Sequence, residues 1–212
     1  DFVEKVPAQQ KFLATSCCPS WRMMARSLFP KESGNISMTY TPMTYTARLV
    51  KHSHPNSKVV FIGPCAAKKL EAMQEELRSD VDFVLTYEEL MGIFEAKGLD
   101  FSQLPDADDL RDASGLGRGF AAAGGVAAAV EEILRRDQPD AEVKIQRADG
   151  LRACRKLLTL AKAGKLDGNF IEGMICEGGC VRGNGTMVNK KNTPLHLKQY
   201  CEASARKTLK SL

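Results

Sequence analysis

The chain has 212 residues, which is enough for one domain, residues 1–212, with a sizeable hydrophobic core. Its formal charge of +4 comes from dispersed cations and acids, a pattern that disfavours a nucleic-acid-binding protein. No apolar run approaches the roughly 20 residues that cross a bilayer, and the N-terminus does not read as a secretory leader. We therefore expect no membrane partner and a cytoplasmic location.

Predicted strands run into cysteines at two places in the first third of the chain. Residues 11–16 form a short strand that ends at Cys17 and Cys18, and Pro19 suits the first position of a helix to about residue 28. A helix over residues 41–51 follows. The apolar run 58–62 then ends at Gly63-Pro64-Cys65 and continues into another helix, so the same order of strand, turn, cysteine and helix occurs twice.

The remaining elements continue the alternation of strand and helix. Cys154 and Cys201 fall inside two of the helices, where a cysteine is an ordinary apolar residue, and we leave both out of the site. In order, the sequence predicts a strand at 81–86, a helix at 87–96, an acidic loop at 98–118, a helix ending near 136, a strand at 141–147, a helix at 150–163, a strand at 169–175 that leads to Cys176, and a basic amphipathic helix at 193–212.

Strands separated by helices of ten or more residues require crossover connections. This pattern predicts an α/β fold with a mainly parallel sheet flanked by helices. Ligands of such sheets bind beyond the carboxyl ends of the strands. We therefore expect the strand-end cysteines to lie along one edge of the sheet; they are Cys17, Cys18, Cys65, Cys176 and Cys180.

Seven cysteines in a chain expected to be cytoplasmic indicate metal or redox chemistry more than structural disulfides. Four thiolates can hold either a zinc ion or a 4Fe-4S cubane. Structural zinc sites use paired knuckles, and Cys176 and Cys180 are the one knuckle-like pair, so the spacing favours an iron-sulfur cluster over a four-cysteine zinc protein. Adjacent side chains diverge, so one of Cys17 and Cys18 is expected to be a spare thiol, which beside a redox cluster can carry protons.

Three segments together resemble the active-site signatures of iron-only (FeFe) hydrogenases. Residues 15–21 (TSCCPSW), 63–68 (GPCAAK) and 172–180 (EGMICEGGC) are similar to the first, second and third signatures, in the order of the family. The stretches FIGPCAAKKLEA and RGFAAAGGVAAAV also resemble the bacterial monomeric branch. The resemblance implies the C-terminal part of the catalytic domain, that is, one lobe and a C-terminal helix of a two-lobed fold.

The resemblance also implies an H-cluster, in which a 4Fe-4S cubane is joined through a cysteine sulfur to a diiron unit. It assigns the cubane to four cysteines and makes the last of them the bridge to the diiron unit. These ligands are Cys18, Cys65, Cys176 and Cys180.

Four more residues receive roles from the same resemblance. Cys17 would pass protons to the diiron unit, and Ser37 matches the position of a proton-relay serine. Lys68 would donate a charge-assisted hydrogen bond to an iron-bound cyanide. Met174 would pack on the bridging region through its soft thioether.

The function that the resemblance implies is the reversible conversion of protons and electrons into H2. The implied partners are a ferredoxin-like electron donor and hydrogenase maturation proteins. Because only residues 1–14 precede the first signature, we expect the first lobe, the ferredoxin-like domains and the acidic proton-path residues to be absent and the isolated chain to be inactive. The alternative is a non-catalytic redox or hydrogen-sensing protein of the same family, and the retained Cys17, Lys68 and Met174 favour the enzyme.

Two departures from the family pattern lie close to the expected site. Gly63 stands where the second signature usually has Met. After Cys180, residues 183–187 read GNGTM where the family continues with glycines and Gln-Pro. We expect a larger or differently packed pocket at the first position and a different wall at the second.

Overall fold

The strands form two separate parallel sheets in a computed structural model that describes residues 1–105, 113–189 and 191–206. The strands are β1 (Leu13–Ala14), β2 (Val60–Ile62), β3 (Phe83–Leu85), β4 (Ile145–Asp149) and β5 (Phe170–Met174). The larger sheet has the order β1-β5-β4, and β2 pairs with β3 in the smaller one. The α/β class with parallel strands flanked by helices is confirmed. The expectation of one sheet edge for all the cysteines is wrong, because β2 belongs to a sheet of its own.

The longer helices follow the predicted ones, and Pro19 occupies the first turn of α2 as expected. Proline also occupies the first turn of α3 and α9. They are α1 (Phe2–Lys5), α2 (Pro19–Leu28), α3 (Pro42–Ser53), α4 (Ala67–Ala72), α5 (Tyr87–Ala96), α6 (Gly115–Gly119), α7 (Gly125–Asp137), α8 (Leu151–Lys162) and α9 (Thr193–Glu202). Helix α9 is shorter than predicted, and residues 207–212 lie outside the described residues. The predicted loop at 98–118 contains α6.

The predicted strand at 141–147 begins later, at Ile145, because the side chain of Asn169 binds the backbone of the residues before it. The side-chain oxygen of Asn169 accepts from the Lys144 backbone N–H at 2.7 Å, and its amide nitrogen donates to the Glu142 carbonyl at 2.8 Å. A side chain therefore satisfies the backbone groups that a strand ladder would otherwise satisfy. The ladder with β5 starts only after this point.

Buried Glu172 ties the larger sheet to helix α7. It lies in β5 and is 1% exposed, and its two carboxylate oxygens accept from the backbone N–H groups of Gly124 at 2.5 Å and Ala127 at 2.6 Å. A carboxylate at a helix N-terminus satisfies donors that have no partner within the helix and interacts favourably with the helix dipole. Burial nevertheless raises the pKa of Glu172, and the two backbone hydrogen bonds oppose that rise.

Trp21 joins the first signature to the third in the main core. The indole is fully buried, and its Nε1–H donates to the Thr15 carbonyl at 3.1 Å. Its ring lies so close to β5 that a Cβ atom added at Gly173 would stand 2.3 Å from a ring carbon. Gly173 therefore lets the indole lie directly against the strand that leads to Cys176.

Among the residues that the structure describes, we find no helix that combines the length and apolarity needed to cross a membrane.

We expect Gly173→Ala to lower the free energy of unfolding by about 2 kcal/mol or more, because the added methyl group overpacks the contact with Trp21. The matched control is Gly34→Ala, since an added Cβ at Gly34 meets no atom within 4 Å. Urea denaturation of both variants measures the difference. Equal stability of the two variants would contradict the close packing at Gly173.

Candidate metal centre

Five half-buried cysteines from the three signatures lie in the same region of the fold. Cys17 and Cys18 connect β1 to α2, Cys65 follows β2, Cys176 follows β5, and Cys180 begins a short 3-10 turn. Burial and the nearby charges of the other four, in the order Cys18, Cys17, Cys65 and Cys176, raise the pKa of Cys180 to about 12. Cysteines from both sheets thus lie close enough to affect one another's ionisation.

Hydrogen bonds join the third signature to the second. The backbone N–H of Gly185 donates to the Pro64 carbonyl at 3.0 Å, and the Asn184 side-chain oxygen accepts from the Ala66 N–H at 3.4 Å. A Cβ at Gly183 would lie 2.4 Å from the Pro64 oxygen. The segment at 183–187 that departs from the family pattern therefore forms a wall in direct contact with the second signature.

The loop between Cys176 and Cys180 depends on glycine where it meets the segment before α7. Gly179 has a φ of +93°, and a Cβ there would lie 2.4 Å from the backbone nitrogen of Ala123. On either side, Ala123 donates to the Gly178 carbonyl at 3.2 Å and Val181 donates to the Ala121 carbonyl at 2.9 Å. Only a glycine allows the two backbones to approach so closely.

Gly63 lies directly after β2, beside the aromatic ring of Phe61. A Cβ at Gly63 would lie 2.9 Å from two ring carbons of Phe61, so this aromatic ring occupies the space beside the glycine. The Gly63 N–H donates to the Leu85 carbonyl at 3.0 Å, which aligns the end of β2 with β3. The smaller sheet thereby positions the turn that carries Cys65.

The thiols of Cys17, Cys18 and Cys180 are disfavoured as free anions. Burial raises the pKa of Cys17 to about 12, with smaller contributions from the charges of Cys18 and Glu172, while the Lys68 charge lowers it. Burial also raises the pKa of Cys18, although backbone hydrogen bonds with Ile175 and Trp21 act in the opposite direction. A bound cation would displace the thiol protons and offset this repulsion.

The donor set fits an iron-sulfur cubane. Cubanes are held by cysteine thiolates, each on a different iron atom, so the sulfurs need not meet at one point. In the described part of the chain, no three His, Cys, Asp or Glu side chains are placed to hold one metal ion.

Lys68 is buried beside Cys17, and its hydrogen-bond partners were not predicted from the sequence. It is 8% exposed, and its ammonium donates to Glu71 Oε2 at 2.8 Å and to the Cys17 carbonyl at 3.3 Å. Glu71, which is 1% exposed, also accepts from Thr41 Oγ1 at 2.7 Å. The three-residue spacing of Lys68 and Glu71 on one helix could have revealed the pair. The ammonium is thereby held against the backbone of the first signature.

Met174 and Cys154 occupy the core behind the cysteines. Met174 is 2% exposed, and its carbonyl accepts from the Gly150 N–H at 2.9 Å and from the Cys154 thiol at 3.4 Å. Cys154 is fully buried, and Cys18 is packed against the same core cluster. Cys154 is therefore a core residue, as the sequence predicts, while Cys201 is half-buried on α9.

Ser37 belongs to a polar group that includes the first residue of the chain. Its hydroxyl donates to the Asp1 carboxylate and lies 2.8 Å from Thr39 Oγ1. A cavity of about 330 Å³ is lined by Asp1, Ser37 and Cys17. Residue type alone gave no signal for Asp1, because the contact joins residues far apart in sequence.

Comparison with known proteins agrees with this geometry. Residues 1–184 match the family model described as the iron only hydrogenase large subunit, C-terminal domain. The chain belongs to this family. It is 31% identical to the periplasmic Fe hydrogenase large subunit of Nitratidesulfovibrio vulgaris, over 82% of this chain and 51% of that protein.

Two further comparisons concern another relative of this iron-only hydrogenase domain and a solved structure. It is 27% identical to iron hydrogenase 1 of Clostridium pasteurianum, over 87% of this chain and 40% of that protein, so it spans about half the length of these relatives or less. A variant of the FeFe-hydrogenase HydA1 from Chlamydomonas reinhardtii matches with a TM-score of 0.68 at 23% identity, over 98% of this chain and 70% of that one. This structural match shows the fold.

This chain is also similar to proteins that are named as iron-sulfur cluster assembly factors. The chain is 32% identical to the cytosolic Fe-S cluster assembly factor NAR1 of Phaeosphaeria nodorum, over 49% of this chain and 20% of that protein.

We expect Glu71→Gln to destabilise the fold by about 3 kcal/mol, because the variant leaves the buried Lys68 ammonium without a counter-charge. Adding Lys68→Met to this variant should recover part of the loss. The matched control is Glu131→Gln, which removes an exposed pair with Arg147 and should cost less than about 1 kcal/mol. Thermal denaturation of the four proteins completes the comparison, and a loss at Glu71 no larger than that at Glu131 would contradict the buried pair.

Proposed function

We propose that this chain forms part of the catalytic domain of an iron-only hydrogenase, which interconverts H2 with protons and electrons. The observation that carries the proposal is the convergence of cysteines from all three signatures around Cys180, with buried Lys68 beside Cys17. Neither feature is needed for folding alone, since a buried ammonium and several crowded thiols each oppose stability.

In this proposal the cubane is held by the four cysteines named first from the sequence. Cys18 and Cys176 follow strands of the larger sheet, Cys65 follows a strand of the smaller sheet, and Cys180 lies at the start of the 3-10 turn. The raised thiol pKa values mean that cluster binding releases protons and becomes tighter as the pH rises. When bound, the H-cluster supplies the irons at which H2 is formed or split.

The remaining site residues handle protons and charge. Burial raises the pKa of Cys17 to about 12, so the thiol holds its proton at neutral pH and readily recovers one that it has passed on, while the Lys68 charge lowers the pKa and favours donation. Ser37 and Asp1 line the same cavity as Cys17, and water in that cavity would link the thiol to the Asp1 carboxylate. Lys68, oriented by Glu71, supplies a positive charge at the inner end of this route.

A non-catalytic iron-sulfur protein of the same family is the alternative. The match to the assembly factor NAR1 favours it, although that match covers 49% of the chain. A protein that only carries a cubane needs neither the Cys17 thiol nor the polar group at Ser37 and Asp1. Their retention favours the enzyme.

The proposal extends to the rest of the enzyme, its partners and its location. The relatives are at least about twice the length of this chain, which supports a further lobe and electron-transfer domains in the complete enzyme and an inactive isolated chain. The partners are a ferredoxin-like electron donor and maturation proteins that insert the diiron unit. The proposed location is the cytoplasm, although one relative is named periplasmic.

We expect anaerobic reconstitution with iron and sulfide to load about four irons per chain, as one cubane requires. Serine at any one of the four ligand positions should lower the iron content and the charge-transfer absorbance severalfold. Cys201→Ser is the matched control and should load normally. Iron and sulfide analysis decides the result, and a preparation that takes up one zinc ion per chain and no iron would overturn the cluster.

In a matured enzyme that contains this chain, we expect Cys17→Ala to lower H2 evolution by at least about 100-fold while the iron content is unchanged, since a proton donor contributes 10²–10⁴-fold. Ser37→Ala and Asp1→Asn should lower the rate less, because water can partly replace them. H2 evolution with a reduced donor measures all three variants. Full activity of Cys17→Ala would refute the proton-transfer role of Cys17, and no H2 evolution by the matured wild-type protein would support the non-catalytic alternative. Sustained H2 evolution by the isolated 212-residue chain would refute the expectation that it is inactive.

A further inference from the structure

Asp149 contacts the loop between two of the proposed cluster ligands. It is the last residue of β4, and its half-buried carboxylate accepts a hydrogen bond from the Gly178 backbone N–H at 2.6 Å. Gly178 lies two residues from both Cys176 and Cys180, so its Cα atom is at most about 7 Å from theirs. The carboxylate is therefore a negative charge in direct contact with the loop that carries both ligands.

Both backbone polar groups of Gly178 have a partner. Its N–H donates to Asp149, and its carbonyl accepts from the Ala123 N–H at 3.2 Å. Gly178 has a φ of +82°, a conformation that glycine adopts readily, but glycine also loses more conformational freedom than other residues when it is fixed. The loop therefore depends on these two contacts for a defined conformation, and Asp149 supplies one of them.

Asp149 is itself held at the end of a regular strand. It pairs with Met174 in the parallel ladder of β4 and β5, and the N–H of the next residue, Gly150, donates to the Met174 carbonyl at 2.9 Å. A Cβ added at Gly150 would lie 2.8 Å from Cγ of Glu177, so this turn also packs against the loop. The sheet thus presents the Asp149 carboxylate to the loop from a fixed position.

The charge of Asp149 also reaches the core behind the ligands. Burial raises the pKa of Cys154 to about 12, and the charges of Cys18 and Asp149 add to this rise, while the hydrogen bond with Met174 opposes it. Burial likewise raises the pKa of Glu172, and the Asp149 charge adds to that rise. Reduction of a cluster held by these cysteines would add negative charge to the same region, so the same repulsion would oppose it.

We propose that Asp149 is a positioning residue of the metal centre with two separable effects. Its hydrogen bond holds the Gly178 loop in the conformation that binds the cubane, and its negative charge lowers the reduction potential of the bound cluster. The net charge around an iron-sulfur cluster is one of the factors that set its potential. The inference rests on the proposed function, because it requires a cubane at these cysteines.

Substitution by asparagine separates the two effects. Asp149→Asn keeps an oxygen that can accept from the Gly178 N–H and removes the charge, whereas Asp149→Ala removes both. The matched control is Asp140→Asn, at an exposed acid in the turn before the other end of β4. Arg182, whose side chain lies against Gly178, is unchanged in every variant, so any difference arises from the substituted acid.

A redox titration of the anaerobically reconstituted cubane, followed by electron paramagnetic resonance, measures the effect of the charge. Asp149→Asn should raise the equilibrium constant for one-electron reduction about tenfold, which corresponds to a midpoint potential about 59 mV higher. Asp140→Asn should leave the potential at the wild-type value. An unchanged potential in Asp149→Asn, or an equal rise in Asp140→Asn, would overturn the effect of the charge.

Release of iron from the reconstituted protein to a chelator measures the effect of the hydrogen bond. Asp149→Ala should lose its cubane severalfold faster than the wild-type chain, and Asp149→Asn should stay within about twofold of it. The conservative variant therefore rescues the positioning role but not the potential. Release from Asp149→Ala at the wild-type rate, or equally fast release from both variants, would overturn the positioning role.

Amide hydrogen exchange in the cluster-free protein keeps this inference distinct from the proposed function. The Gly178 N–H should be protected in the wild-type chain and in Asp149→Asn, and it should exchange at least about tenfold faster in Asp149→Ala. Equal exchange in the three proteins would overturn the contact itself. If the wild-type chain takes up no cubane, the proposed function fails and the effect on the potential fails with it, whereas the exchange rates still decide whether Asp149 orders the loop.

Discussion

The geometry of the metal centre depends on one buried carboxylate. Glu172 lies inside the third signature, and its two oxygens hold the N-terminus of α7 against β5. The segment that precedes α7 is the one against which Gly178 and Gly179 pack, so the same interaction places the loop that ends at Cys180. Without a partner for the first N–H groups of α7, neither this helix nor the loop has a fixed position relative to the strand.

The positions of Cys18, Cys65 and Cys176 after strands could be predicted from the sequence because each of those strands has a strong local pattern. Apolar runs end at glycine, proline and cysteine, and Pro19 marks the start of a helix, so the carboxyl ends of the strands are visible in the residue types. The division of the strands between two sheets was not visible. Strand pairing depends on contacts between distant segments, and β2 and β3 have no local feature that distinguishes them from strands of the larger sheet.

The polar partners of the site are the part that sequence reasoning missed. Glu71 and Thr41 are 30 residues apart, and Asp1 and Ser37 are 36 apart. A charged or hydroxyl side chain is usually solvated, so its type alone does not indicate burial. The structure shows that Glu71 and Thr41 are almost completely inaccessible to solvent. Lys68 is thus one member of a buried network rather than an isolated helix lysine.

The separation of the two sheets has a consequence for the stability of the whole domain. Cys65 extends from the smaller sheet, whereas Cys18 and Cys176 extend from the larger one. A cubane bound by all of them would be a covalent crosslink between segments up to 158 residues apart, and it would restrict the unfolded chain in the way that a disulfide closing a long loop does. Oxidative loss of the cluster would then remove a structural brace as well as a redox centre, and the smaller sheet would become the first part of the domain open to proteolysis.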